Sequence, residues 1–519
     1  MNQKDRYKLS IQKNKEGIDF VKSGEKDIAY EYFCDAINLN PEYPPPYFNL
    51  GNILMEKKIY KKAIENYVKS NSLDLKNNRY KFKLGVAYAE SGEFKKSIKV
   101  FEKILNEENN NLEILNNLGR LHKEINEYDT SIEYFEKAIS IKYDYHKPYV
   151  ELGILYGELG ALEKSIYFLR KGIDIKKSYI KIEKLNCKKL IENKSDLATI
   201  YWNLSLSTLL LGNYDEGFKN YEYRLYKSPP IMPHARPISQ RIIDKLSIKE
   251  GMKILLVSEQ GLGDTIQFIR YSLYLKRLGF KVTLCCLKKL HSLFESSNIC
   301  DNLISPNDAA KIYDIPWAPL LSLPNLLNIN QGNILINDKY LDIPKIRIQN
   351  WKKILKKDNK PLIGINWQGN PKAEKGKVNG RSIKLEEFSV LKSSEYKFVS
   401  LQKGFGMDQL DKCSFKEYFI DKQEVVNKTL DFLDSAAIIS CCDLVITSDS
   451  MNAHLSGSIG KKTWLLLKYV PDWRWGMEKD SSHWYKSLKL YRQNSNNKWK
   501  DIFEIIAKDL KLIYPSQKS

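Results

Sequence analysis

Apolar side chains in the first 225 residues fall into blocks that recur at a fixed interval. Gly17, Gly51, Gly85, Gly119 and Gly153 follow one another by 34 residues each time (51−17, 85−51, 119−85, 153−119). A leucine precedes four of them, as Leu50, Leu84, Leu118 and Leu152. A second set follows in phase: Ala29/Phe33/Ala36, Ala63/Tyr67/Ser70, Ser97/Phe101/Ile104 and Ser131/Phe135/Ala138. Spacings of three and four residues within each set put these side chains on one helical face. A small residue where two helices cross, facing a large one on the second helix, predicts a repeated helix pair whose members approach closely. Ile104 is the one departure from a small third residue. Pro41 ends the first unit, since it lacks an N–H and fixes φ. A divergent unit at Tyr201–Tyr223 is displaced by 18 residues (205−153−34), and the insertion around Ile180–Lys194 reads as a helix extension. The expectation is an α-solenoid over residues 1–225, about six repeats with the last divergent.

After residue 225 the pattern changes. Pro229, Pro230, Pro233 and Pro237 break helical spacing and mark a linker over 226–250. Continuous apolar runs come next, of the kind a parallel strand buried on both faces has. They are Lys253–Ser258, Lys281–Cys286 and Asn302–Ile304, then Pro361–Trp367, Lys397–Gln402, Asp443–Asp449 and Lys462–Leu467. Thr265–Leu278 between the first two has helical spacing, so the order is βαβ and the class α/β. Two halves are predicted, 251–345 and 346–519. Asn497–Tyr514 is amphipathic, with Trp499, Ile502, Phe503, Ile506, Leu510 and Ile513 on apolar positions, and closes the chain as a terminal helix. The 34-residue period of the first half is that of the tetratricopeptide repeat. Stacked repeats present a concave face that holds a peptide or partner protein, or they oligomerise the chain or buttress its second half.

Two places carry candidate chemistry. Gly261 and Gly263 sit in the first strand-to-helix turn, where missing side chains let a ligand near the backbone. Asp264 is either a helix cap or a reactive carboxylate. Without a third glycine the segment is a poor dinucleotide fingerprint. The second place is Asp449-Ser450-Met451-Asn452-Ala453-His454, at a strand's carboxyl end entering a helix, where a hydroxyl and an imidazole suit a diphosphate. The segment Pro471-Asp-Trp-Arg-Trp with Trp484–Tyr485 is a stacking wall or part of the core.

Composition narrows the class. A chain of 519 residues exceeds one core, and 43% hydrophobic with 28% charged residues is globular. The net charge of +20 is spread along the chain with Asn and Ile, so it reads as compositional bias and not as a nucleic-acid surface. Cys285–Cys286 and Cys441–Cys442 lie in apolar runs and no C-x-x-C occurs, so no metal site is expected and the thiols are reduced. Met1–Asn14 has no apolar leader core, and Ile200–Gly212 is too short and polar to span a bilayer. A cytoplasmic protein without a transmembrane segment is expected, with peripheral membrane contact left open.

Gln260-Gly-Leu-Gly-Asp-Thr-Ile-Gln-Phe, Trp367-Gln-Gly-Asn, Arg381-Ser-Ile, Ser400-Leu-Gln, Asp449-Ser with His454-Leu-Ser-Gly, Pro471-Asp-Trp-Arg-Trp and Tyr491-Arg-Gln resemble bacterial tetratricopeptide-repeat proteins with a heptosyltransferase-like, family 9 type glycosyltransferase domain. The resemblance spans Ile200 to Leu512. It implies the GT-B fold, two facing Rossmann-like domains with acceptor on the first and nucleotide-sugar donor on the second. It implies Asp264 as general base and Asp449, Ser450 and His454 as a donor-binding signature. Serine stands there for threonine, and Met451 for that family's glycine. Arg381 and Lys384 match its Arg-x-x-Lys pair, cations for the leaving diphosphate. The implied activity is inverting, metal-independent transfer from a nucleoside-diphosphate sugar, a co-substrate and the sole small molecule required, to a glycan or protein acceptor. The repeats would then hold a protein partner or the acceptor on their concave face. The alternative is a non-catalytic repeat scaffold with a degenerate GT-B domain.

Overall fold

The computed structural model describes residues 2–182, 187–243, 251–355, 360–371, 374, 380–495 and 498–515. The chain divides into two compact units, Met1–Leu155 with Phe168–Tyr179, and Tyr156–Tyr167 with Ile180–Ser519. The division falls inside the helices His146–Glu158 and Leu162–Ile182.

The first unit is built from helix pairs. They are α1 (Gln3–Ser23) with α2 (Lys26–Leu39), α3 (Pro44–Glu56) with α4 (Tyr60–Leu73), α5 (Asn78–Glu90) with α6 (Phe94–Glu107) and α7 (Leu112–Glu124) with α8 (Tyr128–Ile141). α9 (His146–Glu158) and α10 (Leu162–Ile182) follow. The periodic glycines lie where each pair crosses. A Cβ at Gly17 would lie 2.6 Å from Phe33, at Gly51 2.7 Å from Tyr67, at Gly85 2.8 Å from Phe101 and at Gly119 2.5 Å from Phe135. Real carbons do not approach so closely, so the buried ring of one helix occupies the space a side chain would take on the other. Where serine replaces alanine on a second helix its hydroxyl is satisfied: Ser97 Oγ donates to Gly85 O and Ser131 Oγ to Gly119 O, each at 2.7 Å. Ile104 is buried among Ile98, Phe101, Ile114 and Leu115, so the large third residue fills the core there.

A second 34-residue period lies in the turns. Gly24, Lys58, Gly92, Asn126 and Gly160 all have positive φ, at 90°, 58°, 83°, 63° and 82°. Each reverses the chain between paired helices through a left-handed residue, the usual way a helix end satisfies its last carbonyls.

In the second unit α11 (Cys187–Leu211) pairs with α12 (Tyr214–Tyr221). α10 and α11 run 21 and 25 residues, against 13 or 14 for α2 to α9, so the insertion lengthens helices. Of the insertion, residues 183–186 lie outside the described residues. A 3-10 turn at Glu222–Leu225 then delivers Arg224 into the α/β part. The Arg224 guanidinium and Glu259 carboxylate are both fully buried and pair in bidentate fashion, Nη2–Oε1 at 2.6 Å and Nε–Oε2 at 3.0 Å. Residues 226–243 of the expected linker form no helix but are bound: Ile242 N donates to Trp317 O, and His234 N to Ser258 O. Residues 244–250 lie outside the described residues.

Two parallel sheets follow. β1 (Lys253–Val257), β2 (Lys281–Cys285), β3 (Asn302–Ile304) and β4 (Trp317–Pro319) form one in the order β3-β2-β1-β4. β5 (Leu362–Asn366), β6 (Lys397–Ser400), β7 (Leu444–Ser448), β8 (Thr463–Leu467) and β9 (Leu488–Arg492) form the other in the order β6-β5-β7-β8-β9. Every pairing in both is parallel. Ile254 and Leu256 of the first sheet share a buried cluster with Val445, Leu465 and Leu467 of the second. The opposite face of the second sheet packs Ile363, Ile365, Leu444 and Ile446 against Ile502, Phe503, Ile506 and Leu510 of the helix Lys500–Ile513. Ile513, expected on that apolar face, is 37% exposed, and Asn497 lies outside the described residues.

The first half of the chain is thus a solenoid of helix pairs, and parallel-sheet α/β elements come after it.

Candidate functional site

β1 ends at Val257, and the chain turns through Gln260, whose φ of 60° is unusual for a residue with a side chain, into α13 (Leu262–Phe268). α14 (Arg270–Arg277) continues from it. Gly261 is the N-cap of α13 and Asp264 its third residue. Gly261 N donates to Asp264 Oδ2 at 2.8 Å, the carboxylate half of a capping box, since a glycine cap offers no hydroxyl in return. The other oxygen, Oδ1, accepts from Arg474 Nη2 at 2.5 Å. Both oxygens of Asp264 therefore have structural partners. Gly263 does not open the turn to a ligand: a Cβ there would lie 2.8 Å from His454 Cδ2 and 3.4 Å from Met451 Cα. Its missing side chain makes room for the helix Met451–Ser458.

That helix begins at the carboxyl end of β7. Ser450 is its N-cap, accepting from Asn452 N at 3.3 Å and donating to Asn366 Oδ1 at 2.8 Å. Asn366, at the end of β5, donates to Gln402 Oε1 at 2.7 Å, and that oxygen also accepts from Trp367 N and Gln368 N. Amide and hydroxyl groups thus lock the ends of β5, β6 and β7 into one network. His454 is 6% exposed, and its ring stacks on Trp475, centroids 5.3 Å apart at 25°. Its Nδ1 lies 3.1 Å from Tyr485 Oη. Burial, with Arg474 and Arg270 nearby, holds its pKa well below the ordinary value, so the ring is neutral at neutral pH.

Charge gathers around Asp449. Burial, then the like charge of Asp472, pushes its carboxyl up to about 6, against the pull of Arg381, Trp475 and Arg474. The Trp475 indole N–H acts on Asp449 without a hydrogen bond of full geometry. Lys468, just past β8, feels Asp449 and Asp472 while burial lowers its pKa. Arg381 pairs with Glu374 at 3.3 Å and lies against Gly369, where a Cβ would meet its Nη2 at 3.1 Å. Arg474 joins the two groups: it binds Asp264, Asp472 at 2.8 Å and Gln267 Oε1 at 2.7 Å, and its charge is held by those acids despite burial. Lys384 is exposed and stands outside this arrangement. Asp264, Gly263 and His454 thus come together, as do Asp449, Ser450 and Arg381. Trp473, Trp475, Trp484 and Tyr485 are all buried, so this aromatic segment is core, and one ring of it backs His454.

Sequence reasoning assigns no role to Arg474, Asp472, Lys468, Asn366 or Gln402. Two of them stand in the Asp-Trp-Arg run, where an acid and a base inside dense aromatics are the available signal. Among the described residues no cluster of three or more His, Cys, Asp or Glu is placed to hold a metal ion, and no helix is long and apolar enough to cross a membrane.

A family model described as tetratricopeptide repeat matches residues 44–77, 79–111 and 112–145, three successive helix pairs. No curated protein matches the chain. Among solved structures it is similar to MamA, at 22% identity over 32% of this chain and 96% of that one, with a TM-score of 0.30. It is also similar to YrrB, a tetratricopeptide protein with an unusual peptide-binding site, at 19% identity over 32% and 86%, TM-score 0.29. A repeat protein from Parabacteroides merdae shares 19% over 41% and 91%, TM-score 0.31. Scores this low carry no argument; the repeat assignment rests on the family model and on the glycine crossings. The family match ends at residue 145.

Proposed function

We propose that the protein is a cytoplasmic GT-B glycosyltransferase that takes a nucleoside-diphosphate sugar, its repeats selecting a protein or glycan acceptor. The observation that carries this reading is the meeting, at the carboxyl ends of two parallel sheets, of Asp264 and Gly263 from one with His454 from the other. Ligands of open α/β sheets bind at such ends. The helix after Ser450, His454, Arg381 and Lys468 supply N–H groups and positive charge for a diphosphate. In an inverting single displacement, the acceptor oxygen forms a bond to the anomeric carbon as the bond to the diphosphate oxygen breaks. The acceptor proton passes to Asp264 through a lone pair its two partners leave free. Protonating Asp264 weakens its hold on Arg474, whose charge then favours the departing diphosphate.

The double engagement of Asp264 equally favours a second reading, in which the α/β part is a structural remnant and the repeats are an interaction scaffold. A thermal-shift screen against nucleoside diphosphates and their sugars, repeated with His454→Ala, separates the two. A ligand at about 100 times its Kd adds roughly 2.7 kcal/mol. Stabilisation of wild type that is lost in His454→Ala supports the transferase; no stabilisation by any nucleotide at millimolar concentration leaves the scaffold.

A further inference from the structure

Arg270 is fully buried, and among the described residues no carboxylate pairs with it. Its Nη1 donates to Ile336 O at 2.8 Å and to Trp484 O at 2.7 Å, its Nε to Gln267 O at 2.8 Å and its Nη2 to Tyr340 Oη at 3.3 Å. Its guanidinium lies 4.6 Å from the Tyr485 ring centroid and 4.8 Å from that of Tyr340. The cation thus faces aromatic rings and carbonyls, and these fix where nearby hydroxyl protons go.

The Tyr340 hydroxyl donates to Ile266 O at 2.9 Å, so its remaining capacity is as an acceptor. The Tyr485 hydroxyl has two partners within reach, Tyr340 Oη at 3.4 Å and His454 Nδ1 at 3.1 Å. The shorter contact is to a ring nitrogen with an in-plane lone pair. If Tyr485 donates there, Nδ1 carries no proton and the neutral imidazole carries it on Nε2. Among the described residues Nε2 has no hydrogen-bond partner, and it is not among the sealed polar atoms, so it keeps contact with solvent beside Gly263. The charged groups acting on the ring are Arg270 from α14 and Arg474, itself paired with Asp264 and Asp472, and both cations oppose a second proton.

We infer that Tyr485 is a positioning residue that holds His454 as the neutral Nε2–H tautomer and so fixes an N–H donor at the ring's unpartnered nitrogen. Such a donor suits an anionic phosphoryl oxygen and cannot serve as a base at that nitrogen. The ligand rests on the donor-site reading above; the tautomer does not. Histidine labelled with 15N and 13C in the full-length protein tests it, because the six histidines are few enough for His454 to be identified as the resonance lost in His454→Ala. The wild type is expected to show one neutral tautomer with the proton on Nε2 at neutral pH and above. Tyr485→Phe, which keeps the ring and removes the proton donor, is expected to give a mixture of tautomers. A wild-type ring protonated on Nδ1, or a Tyr485→Phe ring with an unaltered tautomer ratio, overturns the inference, and the wild-type spectrum decides even if the variant fails to fold. Inorganic pyrophosphate is then titrated into the wild type. Movement of a fixed Nε2–H supports both the positioning role and the anion site. A fixed Nε2–H that ignores pyrophosphate supports the positioning role and counts against the donor-site reading.

Discussion

At the scale of single residues, Asp449 links position to a measurable pH effect. Its carboxyl ionises near pH 6 in the folded chain and near 3.8 when unfolded, because burial and Asp472 oppose its charge. Between those values the folded chain keeps a proton that the unfolded chain releases, so folding stability falls as pH rises from about 4 to about 6 and stays lower above that. Asparagine has the shape of the protonated acid and never ionises. Asp449→Asn should therefore melt at a higher temperature than wild type at pH 7.5, with the difference shrinking toward pH 4. Melting curves at the two pH values check this; equal shifts at both would mean that Arg381, Lys468 and Arg474 already compensate the carboxylate. Lys384 makes no such contribution, since it points into solvent.

At the scale of elements, each repeat rests on one crossing, and the crossing can be tested as a pair. Gly119→Val forces a branched side chain against Phe135, a ring that is fully buried. Overpacking of this kind should cost about 1–3 kcal/mol in chemical denaturation. Phe135→Ala alone should cost about 3–5 kcal/mol by opening a cavity. Together they should cost less than the sum by about 0.5–3 kcal/mol, because valine fills space the ring vacates; strict additivity would show that the two side chains do not share that volume. This crossing was legible in the sequence because the same close approach recurs every 34 residues. The left-handed turn position has the same period but was not legible, since Lys58 and Asn126 stand there beside three glycines. β4 and β9 were missed for other reasons: β4 is three residues ending in proline, and β9 alternates through the exposed Lys489 as an edge strand does. At the site, Asp449, Ser450 and His454 are close in sequence and were visible together as one strand-to-helix junction. The Asp264–Arg474 ion pair joins residues 210 apart, and no local pattern carries it. A capping aspartate and a reactive one are also the same residue at the same helix position, so only the partners on its two oxygens distinguish them.

At the scale of the whole molecule, each of the two units has buried clusters of its own among the described residues. Ala29, Phe33, Tyr67 and Phe48 belong to one core of the first unit, and Ile98, Phe101 and Leu118 to another. The sheets, the aromatic segment and Leu209, Tyr214 and Phe218 of the last helix pair belong to a core of the second. A chain with separate cores need not unfold in one step. Repeat arrays also gain stability locally, from each unit and its neighbours. Calorimetry of the full-length protein should accordingly resolve more than one transition. Gly119→Val should lower the transition that reports the repeats and leave the other within error. A nucleoside diphosphate that binds the α/β part should raise only the transition of the unit holding His454, since a ligand stabilises the structure that forms its site. If both perturbations moved a single shared transition, the units would fold as one cooperative body. A partner held by the repeats would then shift the stability of the α/β site, which on the proposed transferase reading is a thermodynamic route from acceptor recognition to chemistry. If the transitions move separately, the proposed transferase reading has the repeats act by delivering the acceptor to Asp264 and His454, raising its local concentration there without changing the site itself.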